Sequence, residues 1–257
     1  MPKLLTTIRW RWAALATLML AALAGCVSLD TQQRKWIFQA SVLGTPDDGA
    51  RIDGLDDVWI SLPSSSGATS PGSARPPKLH ALWLAGPTPN APVMLYLHGA
   101  RRNVESSVFR IRHMRELGFA VLAIDYRGFG RSSDELPSEN TVSEDAHAAW
   151  AWLAAKYPGR DRINIGHSLG GAIAVRLATE VVDAKGLIVE GTFTSIPAVF
   201  ESMKWGWLPI TPLITQRFDS AERIAQVMVP VLVVHGEADS LIPPALGRAL
   251  YERATSA

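Results

Sequence analysis

Apolar residues in this chain fall into two kinds of stretch, and their alternation lays out the fold. Val93 to Leu97, Ala120 to Asp125, Ile163 to Ile165, Leu187 to Val189 and Val231 to Val234 are short, nearly continuous apolar runs, the pattern of strands buried on both faces. Between and after them lie stretches of helical spacing, near Val104 to Leu117, Ser143 to Lys156, Gly171 to Val175, Ala221 to Val227 and Pro244 to Arg253. Ahead of the series, Asp57 to Leu62 and Lys78 to Leu84 predict two strands paired as a hairpin, joined by a Ser/Gly/Pro-rich loop from Pro63 to Pro77. This alternation predicts an α/β architecture, mostly parallel, with helices on both faces. Ligands of such sheets bind beyond the carboxyl ends of the strands. There is no internal repeat.

The N-terminus follows a different pattern. Lys3, Arg9 and Arg11 precede an apolar stretch from Trp12 to Leu23, which closes on Leu23-Ala24-Gly25-Cys26. A basic segment, a short apolar segment and small residues describe a signal peptide, and a dozen apolar residues fall short of the roughly 20 a spanning helix needs. Cys26 is the one cysteine of the chain, so no disulfide can form within it. The L-A-G-C sequence resembles a bacterial lipobox. The resemblance implies cleavage before Cys26, lipid on its thiol and amine, and an envelope location. Val27 in place of an aspartate favours the outer membrane, facing the periplasm. On this reading residues 1–25 are the signal peptide, 26–56 are a lipidated N-terminus and tether (polar from Thr31 to Lys35), and 57–257 are one folded domain. Losing Lys3, Arg9 and Arg11 takes the formal charge from +1 to −2, which leaves no basic footprint for nucleic acid.

Gly166-His167-Ser168-Leu169-Gly170 stands between the run ending at Ile165 and the small-residue helix pattern that follows. Strand, G-x-S-x-G and helix together describe a nucleophile elbow, a tight turn whose glycines give room and whose serine is exposed at the tip. The helix N-terminus points at the position where an oxyanion develops. One oxyanion-hole N–H comes from the residue after the nucleophile, Leu169, and the other from the loop after Val93 to Leu97, assigned to Ala100.

A serine needs a base, and the base needs a carboxylate to orient it. The chain order for an elbow of this type is serine, acid, histidine. Asp239, in the loop after Val231 to Val234, is the candidate acid, with Glu237 near it and Glu190 a more distant alternative. No histidine follows Asp239. His80, His113 and His147 lie on predicted strands or helices. His98, His167 and His235 lie near the strand ends as possible substitute bases, subject to reach. No metal-ligand spacing and no cofactor loop are present, since Gly128-Phe129-Gly130 lacks a third glycine.

Four stretches, Leu95-Tyr96-Leu97-His98-Gly99, Asp125 to Ser132, Gly166 to Gly171 and His235 to Pro243, together make the chain similar to the serine aminopeptidase/monoacylglycerol-lipase-like branch of the α/β-hydrolase superfamily. The resemblance covers about residues 57–257. It implies the α/β-hydrolase fold, Ser168 as nucleophile, Asp239 as acid, and a histidine some thirty residues further on, after one more edge strand and helix. Two readings follow. One is a lipid-anchored serine hydrolase of carboxylic esters, lysophospholipids or monoglycerides, impaired without that histidine. The other is a non-catalytic envelope lipoprotein that binds a ligand in the same pocket. No cofactor is expected, the expected partners are a small-molecule or lipid ester and the membrane, and the oligomeric state is left open. Residues 191–229 are the place for a short cap. Its Trp205 and Trp207 are candidates to line an acyl pocket, to sit against lipid, or to pack over the sheet edge.

Overall fold

A computed structural model describes residues 25, 27–40, 52–63 and 76–256. Cys26, the bulk of the signal-peptide segment and most of the Ser/Gly/Pro-rich loop lie outside the described residues. The first described element is helix α1, residues 27–38. Strands β1 (Asp56–Ser61), β2 (Lys78–Leu84) and β3 (Val93–Leu97) follow, then a 3₁₀ turn at Val104–Ser107, α2 (Val108–Glu116), β4 (Ala120–Ile124), α3 (Glu139–Lys156), β5 (Arg162–His167) and α4 (Leu169–Glu180). The remainder is β6 (Ala184–Glu190), α5 (Ile196–Glu201), a 3₁₀ turn at Thr211–Leu213, α6 (Ser220–Ile224), β7 (Val231–Val234) and α7 (Pro244–Arg253).

The strands form one sheet in the order β1-β2-β4-β3-β5-β6-β7. β1 and β2 pair antiparallel as the expected hairpin, β2 and β4 are also antiparallel, and β4 through β7 run parallel. Every residue of β3 and β4 is buried, which is why these strands read as unbroken apolar runs instead of alternating ones. Val93, Leu95 and Leu97 face one layer with residues of α3, α4, α6 and α7, and Met94 and Tyr96 face the other with Ile111 and Met114 of α2. Among the described residues no helix is long and apolar enough to cross a membrane.

Register places the site. Leu97 lies opposite both Ile124 and Gly166, and His167 opposite Glu190, which in turn faces Val234. The residues that follow these, Asp125, His98, Ser168, Gly191 and His235, therefore form a row along the carboxyl edge of the sheet.

Two expectations need correction. Residues 27–40 do not form an extended tether. They fold as α1, and Phe38, 1% exposed, sets its ring against Phe129 and Phe218 at 6.5 and 5.9 Å. Asp30, Arg34, Ile37 and Phe38 share one face at helical spacing, and the polar stretch Thr31 to Lys35 hid that face. The second correction is the start of α3, at Glu139 instead of Ser143. Ser138 and Thr141 cap each other reciprocally there, a capping box inside a stretch polar enough to pass for loop.

Candidate active site

The elbow is dictated by sterics. Ser168 has φ 54° and ψ −123°, a left-handed backbone that a non-glycine residue holds only where its surroundings enforce it. A Cβ on Gly166 would fall 2.0 Å from the carbonyl oxygen of Gly170, and one on Gly170 would fall 2.1 Å from that of Leu97. The turn can close only with glycine at both positions. The Ser168 N–H donates to the Glu190 carbonyl at 2.9 Å, and the Ser168 carbonyl accepts from the Thr192 hydroxyl at 2.8 Å and the Gly171 N–H at 2.9 Å. Ser168 caps α4 by position, yet its hydroxyl makes no capping bond. The backbone is tied down, and among the described residues the hydroxyl makes no hydrogen bond.

The loop after β3 lies against that side chain. A Cβ on Gly99 would sit 3.0 Å from the Ser168 Cβ and 3.5 Å from its Oγ, so Ala100 follows directly on a point of contact with the serine. Leu169, as first residue of α4, has an N–H without an intrahelical acceptor.

Asp125 is the loop's anchor. It is buried at the end of β4, accepts from the Val104 N–H at 2.7 Å and from His80 Nδ1 at 3.1 Å, and lies 3.5 Å from His98 Nε2. Burial works to raise its pKa, but the hydrogen bonds of His80 and His98 prevail and hold it below the ordinary carboxylate range. A second support is α1, whose Phe38 carbonyl accepts from the Arg101 N–H at 2.9 Å, with Arg101 itself at φ 77°. Sequence reasoning gave neither Asp125 nor Phe38 a role. A carboxylate ending an otherwise apolar strand was the available signal for Asp125. For Phe38 it was the helical spacing with Arg34 and Ile37.

On the far side of the serine, Asp239 Oδ1 accepts from the backbone N–H groups of Leu241 and Ile242 at 3.0 and 2.9 Å. Its Oδ2 is left towards Gly191, whose notional Cβ would lie 3.8 Å from it and 3.9 Å from His167 Cε1. Asp239 and the elbow thus meet across Gly191. The two other acids are placed differently. Glu237 is exposed. Glu190 is held by Arg110, whose Nε and Nη2 donate at 3.1 and 3.2 Å, with His167 Nδ1 3.6 Å away. His167 foremost, then Arg110, lower its pKa to about 2.

Most of the histidine nitrogens face other groups. His80 bridges Asp57 and Asp125. His98 has Nδ1 at 2.6 Å from the Gly99 carbonyl and Nε2 towards Asp125. His147 contacts the Ser143 carbonyl and Glu180, and His113 contacts Glu116. His235 donates from Nε2 to the Ile242 carbonyl at 2.8 Å, 3.7 Å from Asp239 Oδ2, and its Nδ1 is buried under Gly247. His167 has its Nδ1 beside Glu190. Among the described residues there is no cluster of three or more His, Cys, Asp or Glu side chains that would hold a metal ion.

The cap residues Trp205 and Trp207 stand 57% and 72% exposed, with ring centroids 6.5 Å apart. That places them on the outside of residues 191–229 and not as walls of an enclosed pocket.

The family described as serine aminopeptidase, S33, matches residues 88–219. An uncharacterised protein of Mycobacterium tuberculosis is 39% identical over 141 residues, which is 54% of this chain and 49% of that protein. The lysophosphatidylserine lipase ABHD12 of Danio rerio is 32% identical over 181 residues, covering 63% and 47% of the two chains. Its Rattus norvegicus counterpart is 29% identical over 225 residues, covering 80% and 54%. The chain spans about half the length of these curated relatives. Among solved structures, the Pyrococcus furiosus esterase Pf2001 superposes with a TM-score of 0.62 at 21% identity, over 77% of this chain and 76% of that one. An α/β hydrolase of Vibrio vulnificus gives 0.61 at 21% identity, over 78% and 69%. At such identity the superpositions establish the α/β-hydrolase fold alone.

Proposed function

Because this chain belongs to the serine aminopeptidase S33 family of α/β-hydrolases, we propose that it is a serine hydrolase of carboxylic esters working through an acyl-enzyme on Ser168. The observation that carries this reading is the elbow: a serine at φ 54° with its hydroxyl unspent, packed against the loop that leads to Ala100. Ser168 Oγ attacks the ester carbonyl while the N–H groups of Ala100 and Leu169 take the developing oxyanion. The alcohol leaves with the proton the base has removed from the serine, and water then releases the acid from the acyl-enzyme. Asp239, with Oδ1 braced by two backbone N–H groups and Oδ2 turned towards Gly191, orients the base histidine. The lysophosphatidylserine lipases among the relatives favour a lipid ester as substrate. A lipid anchor at Cys26 in the cell envelope puts the enzyme where such esters are.

The family pattern places the base histidine after a further strand beyond Asp239. The expected outcome is slow turnover of p-nitrophenyl butyrate by this chain and turnover faster by roughly three to four orders of magnitude in a chain carried on to a histidine after a further strand, the scale of losing one triad member. Fast turnover by the 257 residues, abolished by Ser168→Ala, would instead make an upstream histidine the base. One observation favours a second reading: His98 Nδ1 and His235 Nε2 are taken up by the carbonyls of Gly99 and Ile242. On that reading the protein binds a lipid ester without cleaving it, and stoichiometric binding with no turnover in either chain would support it.

A further inference from the structure

Several exposed apolar side chains lie where α1 meets the cap. Trp205, Trp207, Ile210 and Leu213 are all exposed in the cap, and Leu29 and Trp36 are exposed on α1. The two groups adjoin. Gln33 of α1 donates to the Leu213 carbonyl at 2.8 Å and accepts from the Thr215 N–H at 2.9 Å. Asp30 accepts from the Thr215 hydroxyl and the Gln216 side chain at 2.7 and 2.9 Å. Leu29 and Trp36, seven residues apart, share the helix face that flanks Gln33. Exposed apolar residues gathered on one face mark docking sites.

We infer that this face, Trp205 and Trp207 with Leu213 and Trp36, lies in the lipid–water interface and seats the carboxyl edge of the sheet against the bilayer that holds the protein. The occupant is argued from chemistry and position. From Ser202 to Gln216 there is one lysine and no carboxylate, and Lys204 lies 5.7 Å from the Trp205 ring centroid. Tryptophan with an apolar body and a wet N–H, next to an amine that reaches phosphates, is the composition of a membrane-interface belt. Position points the same way. Asp30, bonded to the cap, lies three residues beyond Val27, about 4.5 Å along a helix. The sequence just before Val27 is Cys26, behind the apolar stretch Trp12 to Leu23. The N-terminal half of α1, from which a lipid on Cys26 would extend, therefore adjoins the end of the cap segment that carries the tryptophans. The cap leaves the sheet after Glu190, whose carbonyl accepts from the Ser168 N–H, so this orientation presents the serine's side of the domain to lipid. The inference rests on the lipid-anchor reading for the direction of approach, but the surface is tested without it.

The test uses the full chain, purified in detergent and reconstituted into phosphatidylethanolamine/phosphatidylglycerol vesicles with brominated acyl chains, which quench tryptophan only at contact depth. Trp205→Phe/Trp207→Phe keeps the apolar surface but removes two emitters, and is expected to lose a large share of the bromolipid-quenchable emission at unchanged vesicle binding. Trp205→Ser/Trp207→Ser is expected to lose quenching of Trp36 as well, because docking itself fails, while circular dichroism stays that of the wild type. A quenchable share unaltered in the Phe variant overturns the proposal. So does concentration-dependent dimerisation without vesicles that the Ser variant abolishes, which would make a second copy the occupant. Fatty-acid labelling judges the anchor separately. If the protein takes up no label but its cap tryptophans are still quenched on added vesicles, the anchor reading fails and the docking surface stands.

Discussion

The two arms of the candidate site are built on opposite principles. On the serine side, β5 and α4 lie inside the domain, and Gly166 and Gly170 are fixed by collisions of 2.0 and 2.1 Å with backbone. Each backbone group of Ser168 is bonded to a neighbouring segment. On the acid side, β7 is an edge strand of the described sheet, Leu232 and Val234 are 54% and 44% exposed, and a Cβ at Gly236 would meet nothing within 4 Å. The Val231 N–H donates to the Ser256 carbonyl at 3.0 Å, so among the described residues the outer edge of β7 is paired only at its start. The difference teaches where geometry is enforced and where it is merely permitted. The nucleophile is held by shape, and the acid by two hydrogen bonds of its own loop.

The comparison breaks most sharply at Gly170. Gly170→Ala drives a methyl group into the Leu97 carbonyl, and the expected cost is about 3 kcal/mol or more in urea denaturation, with the elbow distorted. Next comes Phe38→Ala, which removes the ring between Phe129 and Phe218. The expected cost is about 3 kcal/mol in the docking of α1, read as amide exchange that accelerates over residues 27–38 before the rest of the domain opens. Because Phe38 also accepts from Arg101, the same variant should loosen the loop at Ala100.

A smaller effect follows pH. Glu190 titrates near 2 in the folded chain against an ordinary value of 4.5. Its folded pKa is depressed, so its contribution to stability is present above about 4.5 and is lost as pH falls towards 2. Thermal unfolding of the wild type should weaken across that window, and Glu190→Gln should weaken less over the same range. The smallest effect is at Gly236 on the acid side. Gly236→Ala should stay within about 0.5 kcal/mol of the wild type, and a loss comparable to that of Gly170→Ala would erase the contrast between the arms.

The serine side was also the side most open to reading from sequence. A tight strand-to-helix turn needs glycines at fixed offsets, so its constraint is written in adjacent residues. β3 and β4 showed as apolar runs because burial on both faces leaves no alternation to misread, and β7 and α7 begin and end where expected. What escaped depends on contacts between distant segments. The use of α1 lies in Phe38 reaching Phe129 and Phe218, residues 91 and 180 positions away in the chain, and its polar first turns read as a spacer. Asp125 earns its place through Val104 and His80, from two other segments. The capping box at Ser138 was readable in principle, but the four polar residues around it resembled a loop.

The most direct test of the central claim is the site of covalent capture. The chain, and the same chain carried on to a histidine, are treated with a fluorophosphonate, and the adduct is mapped by peptide mass spectrometry. The account predicts a single adduct on Ser168, slow in the 257-residue chain and fast in the longer one, absent in Ser168→Ala and slowed by Asp239→Asn. An adduct on another residue, or none on Ser168 in the longer chain with its fold intact, would contradict it.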